Sequence, residues 1–101
     1  MTAIAPTITA LQAQAAANLF LSDRLPDRIT ADQPLLDEAA QVWRIPVILT
    51  YPFLGSLGQV GEIVISAVKE EIISFTPVEE ILKSAQALAE QNRDAIEAPV
   101  P

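Results

Sequence analysis

The sequence contains no cysteine and no histidine. Without cysteine the chain cannot form a disulfide, a thiolate zinc site or a thiol nucleophile. Without histidine it lacks the commonest general base and metal ligand. We therefore expect a protein that is not an enzyme, with no catalytic residue, no metal site and no bound cofactor.

Basic residues are also few: 6 lysines and arginines stand against 13 acidic residues, a formal net charge of −7. The second part of the chain, 60–101, holds 8 of the acids and 3 of the bases. Nucleic-acid binding requires clustered positive charge, so we expect no nucleic-acid partner. An acidic surface is instead typical of a soluble protein or of one with a basic protein partner.

Long apolar runs are missing, since none approaches the roughly 20 residues of a membrane span. No base precedes the first apolar stretch, so no signal peptide is predicted and a cytoplasmic protein without membrane contact is expected. Yet half of the residues are hydrophobic and the mean hydropathy is +0.32. A chain of 101 residues has a limited interior. Part of this apolar surface is therefore expected to be buried against another chain.

The central stretch, 41–75, predicts a three-stranded antiparallel meander. Gln41–Tyr51 is rich in β-branched and aromatic residues, and its odd-numbered positions form a wholly apolar strand face. Pro46 cannot donate to a ladder, which places this strand at a sheet edge or gives it a bulge. A glycine-spaced turn over 52–59 leads into a second strand over 60–68.

The second strand presents Ile63, Ile65 and Ala67 on one face and Val60 on the other. Lys69, Glu70 and Glu71 predict a tight turn. Ile72–Phe75 then forms the third strand.

A helix is predicted on each side of the meander. The first begins at Thr7 or Thr9 and ends near Ser22. Its apolar stripe is Ile8, Leu11, Ala15 and Leu19, widened by Ala16, Phe20 and Leu21. Its uncharged polar residues are Gln12, Gln14 and Asn18; they either face solvent or pack against a second helix, for instance of another subunit.

The second helix begins at Thr76-Pro77-Val78-Glu79, a capping box with proline at the first helical position, and ends near Arg93. The polar segment 23–33 is a predicted connector, and 34–40 is either a helical turn or an extended lead into the first strand. The predicted fold class is α+β, with an N-terminal helix, a three-stranded antiparallel meander and a C-terminal helix. The chain forms a single domain over 1–101, with flexible ends at about 1–6 and 95–101.

Two patterns resemble sites but are better explained by structure. Gly55, Gly58 and Gly61 are spaced like a phosphate-binding loop, but the loop opens onto a strand and contains no base. Adjacent acids could perform acid–base chemistry. Those at 37–38, 70–71 and 79–80 are instead placed in a connector, a turn and the first turn of a helix.

Five residues are candidates for an interface. Trp and Arg are favoured interface anchors, which singles out Trp43 and Arg44, although a core tryptophan beside an exposed arginine is the alternative. Tyr51, Phe53 and Leu54 belong to an apolar loop tip, which either packs into the core or contacts a partner.

The segment 43–81 resembles the core of a group of small uncharacterised bacterial proteins, many of them cyanobacterial. Its shared features are W-R-x-P-V, a Pro/Gly loop, V-G-E-I, an acidic turn and a T-P helix start. The V-G-E-I strand pair is also similar to PepSY domains, which are linked with peptidase propeptides and protease inhibition. The turn at 66–71 departs from the D-x-x-T-G-E pattern of those domains. Neither resemblance implies functional residues for this chain.

Three functions are compatible with these features. The first is a non-enzymatic protein–protein interaction or assembly module that self-associates. The second is an antitoxin-like or regulatory subunit that binds a basic protein or enzyme. The third is a binder of a small apolar ligand, held between the sheet and the helices.

Overall fold

The computed structural model describes residues 6–97. The elements are, in chain order, α1 (Ala10–Ser22), β1 (Ile29–Ala31), β2 (Leu35–Asp37), β3 (Val42–Tyr51), β4 (Gly55–Ser66), β5 (Ile72–Phe75), α2 (Val78–Gln91) and α3 (Arg93–Glu97). Of the predicted flexible ends, 1–5 and 98–101 lie outside the described residues. Residues 95–97 instead complete α3.

All five strands belong to one antiparallel sheet. The strands β3, β4 and β5 are neighbours in that order, while β1 and β2 both pair with the other side of β3. The α+β class is therefore confirmed, but a sheet of only three strands is wrong. The predicted connector 23–33 contains β1, and the ambiguous segment 34–40 contains β2.

The short strands β1 and β2 form one interrupted edge along β3. The interruption lies beside Pro46, whose carbonyl accepts a hydrogen bond from the Asp32 N–H at 2.8 Å. Proline has no N–H to donate in return, so the ladder cannot continue through this point. Of the two predicted alternatives, the edge position is wrong, since β3 lies inside the sheet, and the nearest bulge lies in β4 at Val60. Pro46 instead interrupts the strand next to it.

The helix α1 begins with the predicted cap at Thr9. The Thr9 hydroxyl accepts from the Gln12 N–H at 3.1 Å, and the Gln12 side-chain oxygen accepts from the Thr9 N–H at 2.8 Å. This reciprocal capping box satisfies two backbone donors that a helix start otherwise leaves unpaired.

The buried face of α1 differs from the predicted stripe. Leu11 and Leu19 are 76% and 67% exposed, and Ala15 is exposed as well. The side chains that the helix buries are Ala13, Ala17, Phe20 and Leu21. Alanine at the centre of the contact allows the helix backbone to lie close to the sheet, which the larger leucines would prevent.

The turn between β3 and β4 is shorter than the predicted turn over 52–59. The Leu54 N–H donates to the Tyr51 carbonyl at 3.1 Å, with Pro52 at the second position of the turn. Gly55 follows with φ of 74°, a left-handed conformation that glycine adopts without steric cost. The turn proper is therefore 52–54, and β4 already begins at Gly55.

A register shift then changes the face on which Val60 lies. Val47 is opposite Gly61, but the next residue, Ile48, is opposite Gln59, so Val60 is an extra residue in β4. Its side chain is only 4% exposed and belongs to the core. A bulge of this kind reverses the strict alternation from which the opposite face was predicted.

The glycines of β4 lie where α2 packs against the strand. A Cβ on Gly61 would lie 3.0 Å from Ile81 Cγ1, and one on Gly58 would lie 3.2 Å from Leu88 Cδ1. Gly58 and Gly61 are three strand residues apart, and Ile81 and Leu88 are seven helix residues apart. Both separations span about 10 Å, so each glycine can face its own α2 side chain. These two glycines are therefore strand residues that accommodate a helix, not turn residues.

We expect Gly61→Ala to lower the free energy of unfolding by about 1–3 kcal/mol, the usual cost of an overpacked core. The added methyl would also lie 3.1 Å from Thr76 Cβ, so it is confined on two sides. Denaturant unfolding measures the loss. Gly55→Asn is the control, since nothing lies within 4 Å of that position and asparagine tolerates a positive φ. An equal loss in both variants would contradict the packing explanation.

The predicted capping box of the second helix is wrong. The Thr76 hydroxyl accepts from the Glu62 N–H at 2.9 Å and lies 3.4 Å from the Glu62 carbonyl, so it is used to extend the β4–β5 pairing. Pro77 is the cap residue, and no side chain caps the helix. The helix ends at Gln91, two residues before the predicted Arg93, and α3 follows.

One cluster of buried apolar side chains joins both helices to the same sheet face. The predicted apolar face of the first strand is confirmed, as the β3 members of the cluster are Trp43, Ile45, Val47 and Leu49. The opposite face carries Arg44, and none of the β3 side chains on that face belongs to the cluster. Within residues 6–97, no helix has both the length and the apolar character needed to cross a bilayer.

Candidate interaction surface

The β1 edge of the sheet is capped by side chains of α1. Asn18 Oδ1 accepts from the Ala31 N–H at 2.9 Å, and Gln14 Nε2 donates to the Ala31 carbonyl at 3.2 Å. An exposed strand edge is a template for pairing with another chain, and natural proteins protect it. Two of the uncharged polar residues of α1 thus have partners within the chain, which removes the reason to place a second helix there.

No side chain of residues 6–97 caps the outward backbone of β5 in this way, although a register shift at Val64/Ile65 makes Ile73 an extra residue in the strand. β5 is the last strand of the sheet, and the Thr76 N–H that follows it donates inward to the Glu62 carbonyl at 2.9 Å. Backbone groups of successive strand residues alternate in direction, so those of Phe75 point away from β4. Phe75 therefore offers an N–H and a C=O to a further strand.

Apolar side chains accompany this free backbone. Ile73 is 54% exposed and Phe75 is 47% exposed. The Phe75 ring packs on Phe20 of α1 with a centroid distance of 4.8 Å, and the Arg24 guanidinium lies 4.0 Å above the Phe20 ring. We name Ile73, Phe75 and the outward-facing backbone of Phe75 the β5 surface.

Carboxylates lie at both ends of the β5 surface. Glu70 and Glu71 precede the strand, and Glu79 and Glu80 occupy the first turn of α2 after it. All four residues are exposed. The surface is therefore apolar in the middle and negative at its two ends.

Trp43, the first predicted interface anchor, lies in the core. It is 8% exposed, and its indole N–H donates to the Ile8 carbonyl at 2.7 Å. The Ile8 N–H in turn donates to the Ala67 carbonyl at 2.9 Å. Trp43 thus fixes the segment before α1 onto the end of the sheet, and a partner could reach it only by opening the core.

Arg44 points to the opposite face of the sheet and is already paired. Its guanidinium lies 3.1 Å from an Asp37 oxygen and 3.4 Å from a Glu62 oxygen. The carboxylate of Asp37 also accepts from the Ala40 N–H at 3.2 Å. This backbone hydrogen bond and then the arginine lower the pKa of Asp37 below its ordinary value of 3.8.

A lowered pKa makes Asp37 a source of acid sensitivity. Its contribution to stability is present above the ordinary pKa and is lost as the pH falls through the lowered one. The denaturant midpoint of the unmodified chain should fall between about pH 6 and about pH 3, and we expect this fall to be smaller in Asp37→Asn. Glu38→Gln is the control, since that neighbouring carboxylate forms no ion pair within residues 6–97. An unchanged pH dependence in Asp37→Asn would contradict this assignment.

Tyr51, Phe53 and Leu54 lie together at the hairpin end of the sheet. Phe53 is 88% exposed at the turn and Leu54 is 41% exposed. Tyr51 packs against the core and also lines three adjoining depressions, between the segment 26–29, the end of α2, and α3. The five candidates therefore do not form one surface: these three lie together, Trp43 is buried and Arg44 is on the other face.

Of the acidic pairs at 37–38, 70–71 and 79–80, only Asp37 is partly buried, and the other five carboxylates are exposed. Among the described residues no group of three or more carboxylates, histidines or cysteines could hold a metal ion. Every buried side-chain polar atom of that part of the chain has a hydrogen-bond partner.

Sequence reasoning placed Ile72–Phe75 in a strand but did not recognise it as the interface candidate. A signal was present, because the strand is short, apolar and bounded by two acids and a proline. That pattern fits an edge strand, but only the pairing of β1 and β2 with β3 shows which edge stays free.

Comparison of the chain with protein-family models, with curated proteins and with solved structures finds no match in any of the three.

Proposed function

We propose that this chain is a non-enzymatic protein–protein interaction module that self-associates through its β5 surface. The observation that carries the proposal is the difference between the two edges of the sheet. Asn18 and Gln14 satisfy the backbone of β1, whereas the outward backbone of Phe75 lies beside two half-exposed apolar side chains.

Pairing with a second copy of the same strand satisfies these groups. Two β5 strands can run antiparallel about a two-fold axis, so each copy donates and accepts the same bonds. The contact closes on itself, because a two-fold contact uses the same surface of both copies and leaves neither surface free for a third. The expected assembly is therefore a dimer with one continuous sheet, not an open fibre.

The expected dimer is weak and concentration-dependent. Burying the exposed half of Ile73 or Phe75 contributes about 1 kcal/mol for each side chain, given about 1.5–3 kcal/mol for a whole one. The paired strand has only 4 residues. Glu70 and Glu71 of both copies add repulsion, which dissolved salt screens.

A second candidate is a regulatory subunit with a different partner. The carboxylates at 70–71 and 79–80 favour an extended segment with an apolar centre and basic ends, added to the sheet as a further strand. Such a complex would weaken as salt rises, whereas the homodimer would strengthen. The acidic composition of the chain favours this candidate, and the symmetry of the contact favours the dimer.

Sedimentation equilibrium over a range of concentrations and salt tests the proposal. We expect a mass that rises from 10.9 kDa toward twice that value with concentration, and a tighter dimer at higher salt. A monomer at every concentration and salt level would contradict self-association. In that case recovery of a basic protein from the native cells, lost at high salt, would support the second candidate.

A further inference from the structure

Away from the β5 surface, one of the three depressions around Tyr51 has the features of a small-ligand site. It has a volume of about 350 Å³ and lies between α2 and the segment before β1. The lining residues that matter here are Arg28, Leu49, Tyr51 and Leu82. The volume is within the range of ligand pockets, roughly 300–1,000 Å³, and the walls are mostly apolar as in such pockets. We name this depression the Arg28 groove.

Arg28 is the only charged residue among those that line the groove. Its guanidinium lies 4.4 Å above the Tyr51 ring, and no carboxylate of residues 6–97 lies within 4.0 Å of it. Arg44 and Arg93, by contrast, each pair with two carboxylates. The side-chain N–H groups of Arg28 therefore have no partner within residues 6–97 and can donate to a ligand.

We propose that the Arg28 groove binds a small amphipathic carboxylate. An arginine fork matches a carboxylate with two parallel hydrogen bonds. The apolar part of the ligand would lie on Leu49 and Leu82, of which Leu82 is 37% exposed. The nearby acids Asp27, Glu90 and Glu97 line only the two neighbouring depressions, so they leave the Arg28 end of this groove free for an anion.

The test titrates the full chain with decanoate below its micellar range, followed by NMR shifts of the groove amides, and repeats it with 1-decanol. Decanoate is expected to bind more tightly than the alcohol. Arg28→Gln should weaken decanoate binding about tenfold, the effect of losing one charged hydrogen-bond partner, and leave the alcohol unchanged. Leu82→Glu should weaken both ligands.

Arg24→Gln is the matched control, because Arg24 also lies over an aromatic ring, Phe20, but outside the groove. It should bind decanoate like the unmodified chain. Absence of decanoate binding in the millimolar range, or equal binding by Arg28→Gln, would overturn the proposal. The result does not depend on dimer formation, since the variants lie outside β5.

Discussion

Replacing Trp43 by alanine is expected to lower the free energy of unfolding by about 3–5 kcal/mol. The indole is 8% exposed and contacts the core that both helices share. Its loss leaves a cavity and also leaves the Ile8 carbonyl, now 2.7 Å from the indole nitrogen, without its donor. Small domains have only about 5–15 kcal/mol of stability in total, so the effect is large.

Denaturant unfolding followed by circular dichroism measures this loss, since the alanine variant has no tryptophan to report by fluorescence. Trp43→Phe is the control. It keeps most of the apolar volume and lacks the N–H, so it should lose about 1–3 kcal/mol. A loss below about 1 kcal/mol for Trp43→Ala would instead be typical of a surface position and would contradict the core assignment.

Replacing Ile73 by lysine is expected to weaken the dimer at least tenfold. Two side chains leave the symmetric interface, each worth about 1 kcal/mol, and charged residues on an edge strand oppose pairing. Lysine also lowers the net negative charge of each copy. A loss of the dimer can therefore not be attributed to added repulsion between acidic chains.

Phe53→Lys is the matched control for this prediction. It changes charge in the same way at an exposed aromatic residue on the hairpin turn, outside β5. Sedimentation equilibrium should show an unchanged dimer for Phe53→Lys and a monomer for Ile73→Lys, with both variants folded by circular dichroism. The reverse result would move the interface to the hairpin tip.

The alternating pattern of β3 was predicted well from the sequence. Trp43, Ile45 and Val47 lie on the core face because strict alternation leaves a large side chain no other buried direction. The Thr9 cap was also predictable, since it depends on residues three positions apart. Both are local features whose physics is contained within a few residues.

Features that depend on distant partners were not predictable in this way. The predicted stripe of α1 was right at Phe20 and Leu21 but wrong at Leu11, because close approach to the sheet favours alanines, which carry little hydrophobic signal. Thr76 has the local sequence of a cap but satisfies Glu62, a strand residue 14 positions earlier. Strands as short as β1 exist only because β3 supplies their pairing.

The candidate site also combines features that are local in sequence with features that depend on distant residues. The apolar surplus of the sequence indicated an interface, with Trp43 as either an anchor of it or a core residue. The structure buries Trp43, and that outcome depends on the whole fold. Which strand edge stays free depends on the side-chain amides of α1, and they act across 13 and 17 residues of sequence.

Hydrogen exchange at the Phe75 amide tests the pairing of β5 edges most directly. The Thr76 amide, which donates to the Glu62 carbonyl within the chain, is its internal control. We expect the Phe75 amide to be protected in concentrated solution and to lose protection on dilution, while the Thr76 amide stays protected throughout. Fast exchange of Phe75 at concentrations where the chain is dimeric would show that the interface lies elsewhere.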